Sequence, residues 1–145
     1  MPAAERTFTV TPPPETVLNY LKDFSNAQEW DPGTEKCLQN GTGPVEVGTT
    51  WHNESKLAGN TTELTYTLTE LTSDRIVFVG KNDTVTMTDT IDVTPAGTGS
   101  QVRYHADMDL QGAAKLAAPV AKLGLEKLGN DTEKMLTDAL NALAS

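Results

Sequence analysis

The chain has one cysteine, 11 basic residues against 20 acidic ones, and no apolar run near the roughly 18 residues that a membrane helix needs. Cys37 alone cannot close an internal disulfide, which fits a reducing compartment. The formal charge of -9 leaves no cluster of Lys and Arg for phosphate groups, so nucleic acid is excluded as a partner and stable membrane insertion is not expected. Met1 to Val10 carries Glu5 and Arg6 and lacks the apolar core of a secretory signal; it is read as structure, and the expected location is the cytoplasm. No HxH, HExxH or CxxC spacing occurs. Neither a metal nor a cofactor is expected. The glycine pairs Gly41, Gly43 and Gly97, Gly99 stand in turn contexts with no helix behind them to hold a phosphate.

What is present is a change of period. Val102, Tyr104, Ala106, Met108 and Leu110 alternate with Arg103, His105, Asp107 and Asp109, which predicts a strand with one apolar face. Beyond Gly112 the spacing of Leu116, Val120, Leu123, Leu128, Leu136, Leu140 and Leu143 is helical, and a helix is predicted over Pro119 to Ala144. Gly124 and Gly129 inside it serve either close packing or room beside a ligand. Further strands are predicted over Thr7–Val10, Glu35–Gln39, Thr49–Leu57, Thr62–Leu71, Arg75–Gly80, Thr84–Val93 and Gln101–Leu110, joined by short turns such as Ala58–Asn60. After the first strand, Glu15–Phe24 and Asn26–Trp30 read as two short helices, the second stopped before Asp31 and Pro32. Strands and helices do not alternate, so a parallel doubly wound sheet is excluded. At 145 residues the chain fits a single domain, an α+β fold of about seven antiparallel strands curved around one long terminal helix.

Several segments carry a resemblance. Pro14 to Trp30, PETVLNYLKDFSNAQEW, looks like the opening helix pair of the polyketide cyclase/dehydrase and lipid-transport superfamily. Gly43 to Trp51, GPVEVGTTW, looks like its turn into the third strand, and Asp89 to Pro95, DTIDVTP, with Gly99 to Gly112 resembles its last hairpin. The resemblance covers nearly the whole chain and implies the START-like, helix-grip fold over residues 1–145. It also implies a range of roles: carriers of lipids, sterols and hormones, aromatase/cyclases, and hydrolytic or chaperone-binding members. Fold alone does not choose among them.

Candidate residues follow from the inward faces. Asp89 interrupts the apolar series Val85, Met87, Ile91, Val93, where an unpaired carboxylate is costly or raises its pKa. It is either a ligand anchor or cavity acid, or a residue that lies near the sheet's edge or is paired with a backbone amide or an Arg. Trp51, Tyr66 and Tyr104 offer apolar walls, the tyrosines with hydrogen-bonding tips; Phe78, Met87 and Met108 extend the lining from the sheet, and Leu116 and Val120 from the helix. Plain core packing accounts for the same residues. His52 and His105 fall opposite Trp51 and Tyr104, so both are expected at the surface, and Asp92, Asp107 and Asp109 belong to the outer face.

The leading expectation is a protein that binds a small hydrophobic or amphipathic ligand, such as a lipid, fatty acid or polyketide-like molecule, between sheet and helix. A space of about 300 Å³ or more beneath Leu116 to Leu128 would mark such a site. An enzyme of the cyclase/dehydratase type using Asp89 and a tyrosine is the first alternative, with no catalytic residue assigned. A partner-binding or stress-related module using Asp107 and Asp109 is the second. No feature of the sequence sets an oligomeric state.

Overall fold

The computed structural model describes residues 2–57 and 60–143. Strand β1 (Ala3–Val10) is followed by helix α1 (Pro14–Leu21), a 3-10 turn at Phe24–Asn26 and the one-turn helix α2 (Ala27–Trp30). Strands β2 (Thr34–Gln39), β3 (Thr50–Leu57), β4 (Asn60–Leu71), β5 (Arg75–Lys81), β6 (Val85–Ala96) and β7 (Gly99–Leu110) then run in series. A second 3-10 turn, Gly112–Ala117, leads into helix α3 (Ala118–Asn141). The strands form one antiparallel sheet in the order β1-β7-β6-β5-β4-β3-β2, so six strands meander and the first returns to pair with the last.

The predicted architecture is the observed one, and its departures are local. β1 starts before the predicted Thr7 because Ala3 already pairs with Asp107, and the pairing carries on to Val10 with Ser100. β6 runs past Val93 through Pro95, which sits at the hairpin end opposite Ser100, where a missing N–H costs least. The predicted first helix stops at Leu21, and Asp23 turns to extended backbone, so Phe24 belongs to the 3-10 turn instead. α3 ends at Asn141; the predicted end at Ala144 and part of the turn at Ala58–Asn60 lie outside the described residues.

Helix α3 is gripped over only part of its length. Its buried residues are Leu125, Gly129, Thr132, Leu136 and Leu140, spaced on one face. At Gly129 the helix comes so close to β1 that an added Cβ would lie 3.2 Å from Ala4 Cβ and 3.1 Å from Arg6 Cζ. Close packing is therefore the role of Gly129. Gly124 has nothing within 4 Å of where its Cβ would be, so it serves neither packing nor a cavity. Polar ties secure the same half: Arg6 Nη2 donates to Asn130 Oδ1 at 2.8 Å and Glu126 Oε2 at 3.1 Å, and the Thr11 N–H donates to Asn141 Oδ1 at 2.9 Å.

Inside the sheet the space nearest α2 is filled by rings. Phe24 lies 4.4 Å from Tyr66 and 4.5 Å from Phe78, centroid to centroid, with Trp30 at 6.0 Å and Trp51 at 6.2 Å. All but Tyr66, at 3%, are fully buried. Asp23 holds this turn in place by accepting from the Ser25 N–H at 3.1 Å and from Trp51 Nε1 at 3.3 Å. Phe24→Ala is expected to lower the unfolding free energy in urea by about 3–5 kcal/mol, the range for removing a buried ring. A loss under about 1 kcal/mol would show that the ring is not central to the core.

Candidate functional site

Beside the aromatic cluster, the inward positions turn polar. β6 contributes Met87 and Asp89, β7 contributes Tyr104, β4 contributes Leu64 and Tyr66, and β3 contributes Ser55. The turn after α2 adds Asp31 and Gly33, and α3 closes the set with Leu128. Together these line a cavity of about 10 Å³, the scale of a single water. This cavity is far below the space of about 300 Å³ that would mark a small-molecule site, and Phe24 and its neighbours fill the adjoining part of the grip. An open groove of about 480 Å³ lies elsewhere, between α1 and the β4–β5 turn, with Leu18 and Leu71 among its lining. No set of buried titratable groups converges there.

Asp89 is 2% exposed, and its recorded side-chain partner is the Tyr104 hydroxyl, which donates to Oδ1 at a long 3.4 Å. Burial pushes its carboxyl up to about 8, Asp31 nearby pushes the same way, and the Tyr104 hydroxyl opposes them weakly. At neutral pH Asp89 is therefore largely a neutral O–H donor. Burial also raises the carboxyl of Asp31, against the Gly33 N–H at 3.0 Å and the Thr34 hydroxyl at 2.9 Å that donate to it. Tyr66 and Tyr104 are driven well above the usual phenol range, first by burial and then by Asp89, so both keep their protons. The ring of Tyr66 is placed by Gly80, its partner across the strands: a Cβ there would lie 2.5 Å from Tyr66 Cζ. Only glycine leaves the ring its position.

Of the residues predicted for a site, Tyr66, Met87, Asp89 and Tyr104 line this cavity together. Trp51 and Phe78 are buried in the ring cluster instead, 5.7 Å apart, and Met108 is buried on the inward face of β7 outside the lining. Leu116 and Val120 need correction: they are 88% and 65% exposed, Leu116 on the 3-10 turn before α3 and Val120 in the first turn of α3, whose first fully buried residue is Leu125. Sequence reasoning missed Asp31 as a site residue. It had been read as a helix stop, and an Asp-Pro-Gly turn has no periodicity that would turn its carboxyl inward. Two buried polar atoms lack partners among the described residues, neither of them on a lining residue of the cavity: Trp30 Nε1, on a ring 6.1 Å from that of Tyr104, and Thr132 Oγ1, one helical turn beyond Leu128.

The sequence model of the family described as polyketide cyclase / dehydrase and lipid transport matches residues 1–145. No curated protein matches the sequence. Among solved structures, a START superfamily protein from Mycobacterium smegmatis superimposes with a TM-score of 0.71 at 16% identity, over 96% of this chain and 94% of that one. An aromatase/cyclase, Zhui, from Streptomyces sp. R1128 gives 0.72 at 18% identity, over 96% and 90%. A protein from Chromobacterium violaceum gives 0.66 at 19% identity, over 99% and 100%. At these identities the likeness is one of fold. No helix among the described residues is long and apolar enough to cross a membrane.

The buried acid has a measurable signature. Folded Asp89 holds its proton to about pH 8, whereas the free carboxyl releases it near 3.8. Between those values the folded chain binds more protons than the unfolded one, so stability falls as pH rises from about 4 to about 8 and levels off above. Asp89→Asn removes this contribution and leaves the one from Asp31, which has the same sign. Urea titrations are expected to show the variant gaining on the wild type as pH is raised through this window. Parallel stability curves would mean that Asp89 is not a buried neutral acid.

Proposed function

We propose that this chain, which belongs to the polyketide cyclase / dehydrase and lipid transport family, acts as one START-like unit binding a small hydrophobic molecule that carries carbonyl or similar acceptor oxygens. The observation behind this reading is the group of three protonated side chains, Asp89, Tyr66 and Tyr104, that line one buried cavity together with Leu64, Met87 and Leu128. Such donors suit acceptor oxygens and are more than core packing requires. Trp30 Nε1 and Thr132 Oγ1 add polar atoms still without partners. A neutral Asp89 can donate a hydrogen bond to a carbonyl without the cost of burying a charge.

A cavity of one water's size admits such a ligand only if the structure opens, and the first turns of α3 are the element free to move. Leu116 on the 3-10 turn leading into it and Val120 and Leu123 on that segment are 88%, 65% and 74% exposed, and no residue before Leu125 in the helix is fully buried. Lifting Leu128 and the turns before it away from Gly33 would uncover the donors while the helix from Gly129 onward stays seated. The polar end of the ligand would face Asp89, and its apolar body would lie under α3.

A second reading, a cyclase/dehydratase-type enzyme, is favoured by Asp31 and Asp89 lining the same cavity. Two acids in different hydrogen-bonding surroundings are a means of dividing acid and base roles. Asp31, which accepts from Gly33 and Thr34, is the one suited to take a proton, and Asp89 the one suited to give it.

Native mass spectrometry of gently purified protein, with titrations of fluorescent fatty acids and aromatic ketones, tests the binding reading. One ligand per chain is expected, with affinity at least about tenfold weaker in Asp89→Leu and largely kept in Asp89→Asn, since an amide still donates. Absence of any bound species together with no response to the whole panel would contradict it. Turnover of a polyketone substrate lost in Asp31→Asn, with binding intact, would favour the enzyme.

A further inference from the structure

The two histidines of the chain lie on the outer face of the sheet, and their surroundings differ in a telling way. His105 uses both ring nitrogens, Nδ1 at 3.1 Å from Glu5 Oε1 and Nε2 at 3.0 Å from Asp107 Oδ2. Each nitrogen has its own carboxylate, as a ring held by proton-mediated bonds requires. At His52 two carboxylates converge on the same nitrogen: Nε2 lies 3.3 Å from Glu54 Oε2 and 3.3 Å from Glu63 Oε1. One nitrogen carries one proton at most and cannot serve both well. Both separations are also longer than the roughly 2.7–2.9 Å of a charge-assisted hydrogen bond.

They match something else. Zinc bonds to imidazole nitrogen and carboxylate oxygen are about 2.0–2.2 Å long, so neighbouring donors around a tetrahedral ion stand about 3.3–3.5 Å apart. The two measured separations fall on that tetrahedral edge. The third, between the carboxylates, is within 4.8 Å and closes by side-chain rotation, since Glu63 is well exposed. The backbone brings the three together for simple reasons. His52 and Glu54 are two apart on β3 and share its outer face, while Glu63 on β4 is paired directly with Glu54. Like charges directly opposite across two strands repel, and a cation among them removes that cost.

We propose that His52, Glu54 and Glu63 form a binding site for a divalent transition ion of the zinc type, with solvent completing the coordination. Bound there, the ion clamps β3 to β4 from outside, behind Asn53 and Ser55, which face the interior on the same strand. The site is independent of the cavity and of any ligand there. Its three residues are spread over two strands with a His-x-Glu spacing, which is why no local motif announces it.

Calorimetric titration of the purified, metal-free chain with zinc chloride tests the site, with cobalt(II) as a spectroscopic probe. One ion per chain is expected, with the visible absorption of a tetrahedral cobalt centre. Affinity should fall at least tenfold in His52→Ala and in Glu63→Gln and stay unchanged in His105→Ala. All three positions are at the surface, and circular dichroism checks that each variant folds. No saturable binding would overturn the proposal, as would binding that survives His52→Ala or is lost in His105→Ala.

Discussion

Phe24 stands on a single 3-10 turn, yet its ring meets Trp30, Trp51, Tyr66 and Phe78, drawn from α2 and three strands. A sheet curved around one helix leaves more room than the helix can fill, and in this protein the aromatic cluster takes up the difference. Asp23 fixes the turn from both sides, through Ser25 and Trp51, so the plug is set by the fold of residues 23–30 and not by the sheet alone. Beside the plug lies a small cavity, and it is there that the buried acids and tyrosine hydroxyls gather.

The remaining architecture follows from that division. On the plug side the sheet and the short helices make a dry core. On the other side Asp31, Asp89, Tyr66 and Tyr104 stand under Leu128 of α3. From Leu125 to Asn141 the helix is held by packing and by Arg6 and Thr11, and before Leu125 it is held by little. A segment with few buried contacts opens at low free-energy cost. The polar cavity lies under Leu128, one turn beyond the exposed start of the helix, where the proposed opening would give access to it.

Strand periodicity made most of the fold legible. The alternations around Asp89 and Tyr104 placed both on the inward face, and the same alternation sent His52 and His105 outward. Helical spacing was less decisive. Leu116, Val120 and Leu123 have the spacing of a buried stripe, but a stripe is buried only where something lies opposite, and in this stretch it is Ala121 that meets the core while the three large side chains stay exposed. Asp31 escaped because a turn residue has no period to read. The cavity's size escaped because it depends on where Phe24 lands, and that is settled by the break between Leu21 and Phe24, too short for any pattern to define.

Amide hydrogen exchange along α3 tests most directly whether the closed interior opens at this end. Backbone amides from Val120 to Gly124 are expected to exchange far faster than those from Leu125 to Leu140, and to gain protection when a carbonyl-bearing hydrophobic ligand is added. Equal strong protection along the whole helix, unchanged by every ligand tried, would contradict the account.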